Sequence, residues 1–263
     1  MKLKVATYNT QSGRSNDAVS VRNYDSIVRV LQEVNADIVG LQEVGKHPTA
    51  GFPEYIMEGE PTEYIAEKLQ ANSYFAQAEF FYGKYPYGNS LITKYPITSA
   101  KTVLIPDPVE RVDNGYYQTR SILVAELDIC GGVTVLVSHF GLMPEEKKNA
   151  VETALKLINE IKTPILLMGD LNMTADDEIL APLFQALQDT VNGAKEPFTW
   201  PSNMEKEVGD YEAKIKEISN RSQAGRKIDY IFASKNFKVE NVEVVQTRAS
   251  DHMPYVVDFT VQG

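Results

Sequence analysis

The apolar residues of this chain come in short runs of strand length, and the runs stop at acids, carboxamides or imidazoles. Lys2 to Asn9 alternates in polarity and ends at Asn9; Ile38 to Leu41 leads into Gln42 and Glu43; Val133 to Val137 leads into Ser138 and His139. Ile165 to Met168 leads into Gly169, Asp170 and Asn172, and Asp229 interrupts the apolar run Ile228 to Ala233. Such a pattern favours sheets, because a strand buries alternate residues and needs only a few apolar positions. In α/β folds ligands bind outside the carboxyl ends of strands, so these polar terminators are where chemistry is expected.

Between the first two strands, Tyr24, Ile27, Val28, Leu31 and Val34 recur at helical spacing, giving the order β, α, β. Further strands are expected at Tyr74 to Phe81, Asn89 to Ile92, Ile97 to Ile105, Gln118 to Leu127 and Val133 to Val137. Most are joined by short Gly or Pro turns, which favours antiparallel pairing. Pro144, followed by Glu145 and Glu146, starts a helix with Ala150, Ala154, Leu157, Ile158 and Ile161 on one face. Another helix is expected from Asp176 to Leu187, and strands at Ile228 to Ala233, Val239 to Val245 and Tyr255 to Val261 close the chain. The pattern predicts an α/β fold in which two mixed sheets pack face to face with helices outside. No internal repeat or linker divides it, so one domain over residues 1–263 is expected. Pro201 to Lys227 is polar and long for a connection, a candidate functional loop.

Composition removes several function classes. An apolar fraction of 43% with 10% aromatics excludes disorder for the bulk of the chain. No apolar run approaches the roughly 18 residues of a membrane span, so no transmembrane segment is expected. The single cysteine, Cys130, excludes an internal disulfide and a cysteine-clustered zinc site. Met1 to Val5 lacks the apolar core of a secretory signal, so a reducing cytoplasm is the default, with secretion following only if a leader has been removed. The 26 basic and 36 acidic residues leave a charge of −10, which speaks against a protein that tracks nucleic-acid backbones. A bound divalent cation, however, reverses the local sign inside a cleft.

Singly, each terminator has a plainer reading: Asn9 as a turn residue, Glu43 as a solvated strand end, Asp229 as a structural partner, Ser250-Asp251-His252 as a capping cluster. Together they supply carboxylates, carboxamides and two of the three histidines at the ends of separate apolar runs. Oxygen-rich sets of this kind suit a hard cation such as Mg²⁺ or Mn²⁺. A metal beside carboxylates and imidazoles is equipment for hydrolysing a phosphate ester, where charge grows on the phosphoryl oxygens and leaving group.

Thr7-Tyr8-Asn9, Leu41-Gln42-Glu43-Val44, Gly88-Asn89-Ser90-Leu91-Ile92 with Tyr95-Pro96-Ile97, Ser138-His139-Phe140, Gly169-Asp170-Leu171-Asn172, Lys227-Ile228-Asp229-Tyr230-Ile231-Phe232 and Ser250-Asp251-His252-Met253-Pro254 follow one another along the chain. In kind and order they resemble the motifs of the endonuclease/exonuclease/phosphatase superfamily, which includes deoxyribonucleases, abasic-site endonucleases, neutral sphingomyelinases and inositol-polyphosphate phosphatases. The resemblance implies a four-layer αββα sandwich with the site at one edge of the two sheets. It implies Glu43 as the main Mg²⁺ ligand with Asn9 and Asp251 beside it, and Asp170 as the residue that orients or deprotonates water. Asn172 would hold water and phosphate, and His252 would act as base or phosphate contact with Asp229 as its orienting carboxylate. His139 would contact the phosphate or assist the leaving group, with Asn89 and Arg120 also on the substrate side.

Substrate class is less constrained, because it lives in loops. The acidic balance and the lack of a basic helix favour a small or lipid-derived phosphodiester or phosphomonoester, with a nuclease acting on DNA or RNA as the alternative. A non-catalytic protein binding a phosphorylated ligand is the third reading. Met173-Thr174-Ala175 lacks the arginine that inositol phosphatases often carry after the Asn, and Tyr116-Tyr117 is too little for a lipid-docking hairpin. The aromatics Phe80, Phe81, Tyr82, Tyr85 and Tyr87 fit either a base-stacking wall or ordinary hairpin packing. A monomer is expected.

Overall fold

The computed structural model describes residues 1–14, 24–46, 59–81, 83–191, 198–202 and 225–262. In chain order the strands are β1 (Lys2–Asn9), β2 (Ile38–Gly45), β3 (Asn72–Phe81), β4 (Tyr85–Thr93), β5 (Ile97–Leu104), β6 (Ser121–Leu127), β7 (Val133–His139), β8 (Ile165–Asp170), β9 (Gln188–Asp189), β10 (Asp229–Ala233), β11 (Phe237–Val244) and β12 (Tyr255–Val261). The α-helices are α1 (Asp25–Val34), α2 (Pro61–Leu69), α3 (Pro144–Glu160) and α4 (Ala181–Ala186). The strands form two six-stranded sheets, ordered β11-β12-β1-β2-β4-β3 and β5-β6-β7-β8-β10-β9.

Each sheet has one parallel pair at its centre, β1 with β2 and β7 with β8, and antiparallel pairs elsewhere. Parallel neighbours need a crossover, and α1 and α3 supply the two. The period of two along the strands then sorts side chains into three apolar layers. Leu3 and Val5 of β1, Val135 and Val137 of β7, and Leu166 and Met168 of β8 pack between the sheets. Tyr8 and Leu41 face the other way, against Ile27 and Leu31 of α1 and Ile65 of α2. Leu136 and Leu167 turn outward to Ala150 and Ala154 of α3 and Leu183 of α4. Helix, sheet, sheet, helix is the four-layer sandwich expected from the sequence.

The elements differ from expectation where local chemistry overrides the apolar pattern. The helix expected from Asp176 to Leu187 is a 3-10 turn, Glu178–Leu180, followed by the six-residue α4. Pro182 lacks an N–H and is tolerated only in a first turn, so the α-helix starts at Ala181. Helix α2 was not anticipated, although Pro61 at its first position and Glu63 in its first turn are start signals. Strand β6 starts at Ser121 rather than Gln118, because Gln118 N–H is drawn to Glu146 Oε1 on α3 (3.2 Å). Most of the expected loop, residues 203–224, lies outside the described residues, as do His47 and Tyr82. Among the described residues no helix is long and apolar enough to cross a membrane.

The sheets approach closely where Gly40 of β2 meets β7 and β8. A Cβ on Gly40 would lie 2.7 Å from the Met168 sulfur and 3.0 Å from Val137 Cγ1, so only glycine fits without repacking. Gly40→Val should therefore overpack the inter-sheet layer and cost about 1–3 kcal/mol of stability. Urea denaturation measures this; an unchanged midpoint would contradict the close approach.

Candidate active site

The alternation that builds the inter-sheet core continues past the last apolar residue of several strands. On β1 the inward series Leu3, Val5 runs on to Thr7 and Asn9; on β7, Val135 and Val137 run on to His139; on β8, Leu166 and Met168 run on to Asp170. On β10, read backwards, Ala233 and Ile231 lead to Asp229. Register then sets these residues side by side, with His139 opposite Asp170 in the parallel pair and Asp229 opposite Asp170 in the antiparallel one. Strand β12 starts beside the end of β1, where Tyr255 pairs with Thr7, so the turn carrying Asp251 and His252 reaches the same edge. Ser250 holds that turn, donating to Asn9 O at 2.8 Å and to Asp251 Oδ1 at 3.2 Å.

Glu43 needs a special device. Val39 and Leu41 face the helices, so strict alternation would send Glu43 there too. Instead β2 bulges against β4 between Leu41 and Val44, and Glu43 adopts a left-handed backbone at φ +56°. The hydroxyls of Thr10 and Ser12 both donate to Glu43 O, at 3.2 and 3.1 Å, and support the bulge. As a result Glu43 Oε1 meets Asn9 Nδ2 at 3.1 Å, while the side chain keeps 27% exposure.

Asp170 is the hub. Its Oδ1 accepts from Asn172 N–H at 2.9 Å, and its Oδ2 accepts from Asn9 Nδ2 at 3.0 Å, a bond that joins the two sheets. The same Oδ2 lies 3.4 Å from His139 Nε2 and 3.6 Å from His252 Nε2. His252 Nδ1 is 2.9 Å from Asp229 Oδ2, which makes it the donor of that pair. Arg120 Nη1 is 2.9 Å from His139 Nδ1, and Asn172 Nδ2 is 3.0 Å from both His139 Nε2 and Phe140 O.

The electrostatics follow from burying acids together. Burial pushes the Asp170 carboxyl up, opposed by the charge of His252 and reinforced by that of Asp229. Burial also raises Glu43, with the nearby Asp251 charge adding to it and the Asn9 hydrogen bond opposing it. For His252, burial acts downward, but Asp229, Asp170 and Asp251 outweigh it and push the imidazole up to about 10.

Asn9, Glu43, Arg120, His139, Asp170, Asn172, Asp229 and His252 are thus linked by contacts, and Asp251 bears on Glu43 and His252 through its charge. Asn89 stands outside this chain. It is buried on β4 and its Nδ2 donates to Ser121 O at 2.9 Å, tying the first sheet to the second beside Arg120. One contributor escaped the sequence reading. The buried Thr199 Oγ1 accepts from Ile228 N–H and Asp229 N–H at 3.2 Å each, and Thr199 O accepts from Met253 N–H at 2.8 Å. It clamps the Asp229 strand to the His252 turn; a lone threonine after Phe198 carries no apolar pattern to reveal this.

A model of the Endonuclease/Exonuclease/phosphatase family matches residues 6–252, from just before Asn9 through His252. The chain belongs to this family. Among solved structures, an endonuclease/exonuclease/phosphatase from Beutenbergia cavernae is 23% identical with a TM-score of 0.76, over 100% of this chain and 72% of that one. Its counterpart from Bacteroides vulgatus is 19% identical with a TM-score of 0.72, over 100% of both chains. A mannosyl-6-phosphatase from Bacteroides thetaiotaomicron is 15% identical with a TM-score of 0.69, over 98% of this chain and 99% of that one. No curated protein matches. Membership in the endonuclease/exonuclease/phosphatase family gives hydrolysis of phosphate esters as the class of reaction.

His139 and Asp170 can sit side by side because β8 carries Gly169, where an added Cβ would come within 1.8 Å of Ser138 O at a backbone φ of +151°. Gly169→Ala should force β7 from β8, lower the melting temperature by several degrees and break the contact between His139 and Asp170. Calorimetry tests this, and an unchanged transition would show that the strands absorb the methyl elsewhere.

Proposed function

We propose that this protein is a Mg²⁺-dependent phosphoric ester hydrolase in which water attacks phosphorus, acting on a small or lipid-derived phosphomonoester or phosphodiester. The observation that carries the reading is the buried Asp170 carboxylate, hydrogen-bonded to Asn9 and Asn172 and approached by two imidazole nitrogens, with the partly exposed acid Glu43 on the facing strand. The likeness in fold to a mannosyl-6-phosphatase and the net charge of −10 support a small substrate over a nucleic-acid backbone.

The donor set fits a hard cation. Glu43 and Asp251 are close enough for one charge to disfavour the other, and no cationic side chain is hydrogen-bonded to Glu43 among the described residues. Excess negative charge of this kind is what a bound divalent ion compensates. Glu43 and Asp251 would hold the ion, with Asn9 beside it orienting Glu43 through Nδ2. A second group of ligand-type atoms, on Asp170, Asp229 and His252, lies within 4.8 Å of one another, but there the 2.9 Å Asp229–His252 hydrogen bond already pairs two members. When bound, Mg²⁺ would neutralise charge growing on the phosphoryl oxygens.

The chain's own residues supply the rest. Asp170 takes and orients the water, since its carboxylate is fixed by two amide donors and buried enough to favour gaining a proton. Asp229 holds His252 so that its Nε2 faces Asp170, where the charge of the imidazole offsets the burial of the carboxylate. Asn172 Nδ2 and His139 Nε2, 3.0 Å apart, would contact the phosphate.

Two outcomes are expected. Hydrolysis on a panel of aryl monoester, aryl diester, sugar phosphate, sphingomyelin, plasmid DNA and short RNA should require Mg²⁺, favour one small or lipid-derived class, and fall about 10²–10⁴-fold in His252→Ala. Turnover of DNA or RNA alone would replace the substrate class, and turnover in EDTA would remove the metal. Independently of activity, Mg²⁺ at a hundred times its dissociation constant should stabilise the protein by about 2.7 kcal/mol in denaturation, an effect that Glu43→Gln should largely abolish.

A further inference from the structure

The two site histidines have opposite partners. His252 Nδ1 meets the carboxylate of Asp229 at 2.9 Å, an obligate acceptor, so Nδ1 carries a proton. His139 Nδ1 meets Arg120 Nη1 at 2.9 Å, and a guanidinium is an obligate donor. A hydrogen bond at that distance requires a lone pair on His139 Nδ1 and leaves the ring proton on Nε2.

Three further groups near the ring bear on this assignment. Glu43 Oε1 would favour a proton on Nδ1, but it is 4.0 Å away and already receives Asn9 Nδ2 at 3.1 Å. Asn172 Nδ2, 3.0 Å from Nε2, is a second donor that would favour a lone pair there. A neutral ring cannot accept at both nitrogens, so the two donors compete. The guanidinium wins on two grounds. Its hydrogen bond is charge-assisted and the amide's is not. It is also buried, with Nε lacking a partner among the described residues, so losing Nη1 as well would strand more of a buried cation, whereas Asn172 Nδ2 keeps its bond to Phe140 O at 3.0 Å. Asp170 Oδ2, 3.4 Å from His139 Nε2, is an acceptor for the proton so placed.

We propose that Arg120 is a positioning residue that locks His139 in the Nε2–H tautomer, so that His139 presents a hydrogen-bond donor to the phosphoryl group. This rests on the hydrolase reading for the identity of the substrate group, and on geometry alone for the tautomer. Arg120 thus acts through His139 rather than by gripping phosphate itself.

Histidine tautomers are read directly by long-range ¹H–¹⁵N correlation on protein carrying ¹⁵N-histidine. The chain has three histidines, and His139→Gln identifies the His139 signals by their absence. Recorded without substrate, with and without Mg²⁺, the wild-type spectrum should show His139 with Nδ1 unprotonated and Nε2 protonated, and His252 with a proton on Nδ1 against Asp229. Arg120→Met should release His139 to a mixed or Nδ1–H form and lower kcat about 10–100-fold, the usual range for an orienting partner. Arg120→Lys, which keeps a charged donor, should restore the tautomer and most of the rate. A protonated Nδ1 on wild-type His139 overturns the proposal, whether or not Arg120→Met folds, and so does an unchanged His139 pattern in a folded Arg120→Met. An Nε2–H tautomer in a protein that hydrolyses no ester would count against the hydrolase reading and leave the assignment of Arg120 standing.

Discussion

The structure depends on one constraint: two sheets share a single apolar layer, and the strands that line it do not stop where the layer stops. Packing between the sheets is set by Val5, Val137, Leu166, Met168, Ile231 and Val257, all fully buried. Because side chains alternate strictly, the next inward position on each strand is committed to the same crevice. At that edge the inward residues are Asn9, His139, Asp170 and Asp229. The hydrophobic layer therefore does more than stabilise the domain. It sets the spacing and orientation of the polar groups, and gives them rigid strands to stand on.

That arrangement has a cost the core must offset. Asp170 and Asp229 are buried side by side, Glu43 and Asp251 are near neighbours, and Asp229 Oδ1 has no hydrogen-bond partner among the described residues. Glu43 adds a left-handed backbone, a conformation costing a non-glycine residue about 1–3 kcal/mol. None of this benefits the fold by itself. Unfavourable charge and backbone strain concentrated where strands end is the pattern of a site held ready for a charged ligand. The positive φ at Glu43 and Asn172, two of the residues the motifs single out, fits this view.

Much of this could be read from the sequence because strand alternation is a strong, local signal. The positions of β1, β2, β7, β8 and β12, the helices α1 and α3, and the polar terminators all follow from period and punctuation. What escaped is what alternation does not encode. Simple parity puts Glu43 on the helix side, and only the bulge returns it to the crevice. Thr199 acts through its hydroxyl on distant backbone amides, with no pattern of its own. The hydrogen bond from Asn89 Nδ2 to Ser121 O, a tie between the sheets, likewise has no sequence pattern of its own. The short α4 shows a proline overriding an apolar stripe that reads as one longer helix.

Residue type also understates the difference between the two histidines. Both are buried, and both approach the same oxygen of Asp170 through Nε2. The motifs give both a possible contact with phosphate. The groups behind them, Asp229 on β10 and Arg120 just ahead of β6, are an acceptor and a donor, so Nδ1 carries a proton on His252 and a lone pair on His139. The carboxylate behind His252 favours its charged form beside Asp170, whereas the guanidinium behind His139 leaves Nε2–H free to stabilise charge on the phosphoryl group. Here the division of labour is set one residue back from the reacting atoms, by partners that come from separate segments of the chain and meet only in the folded sandwich.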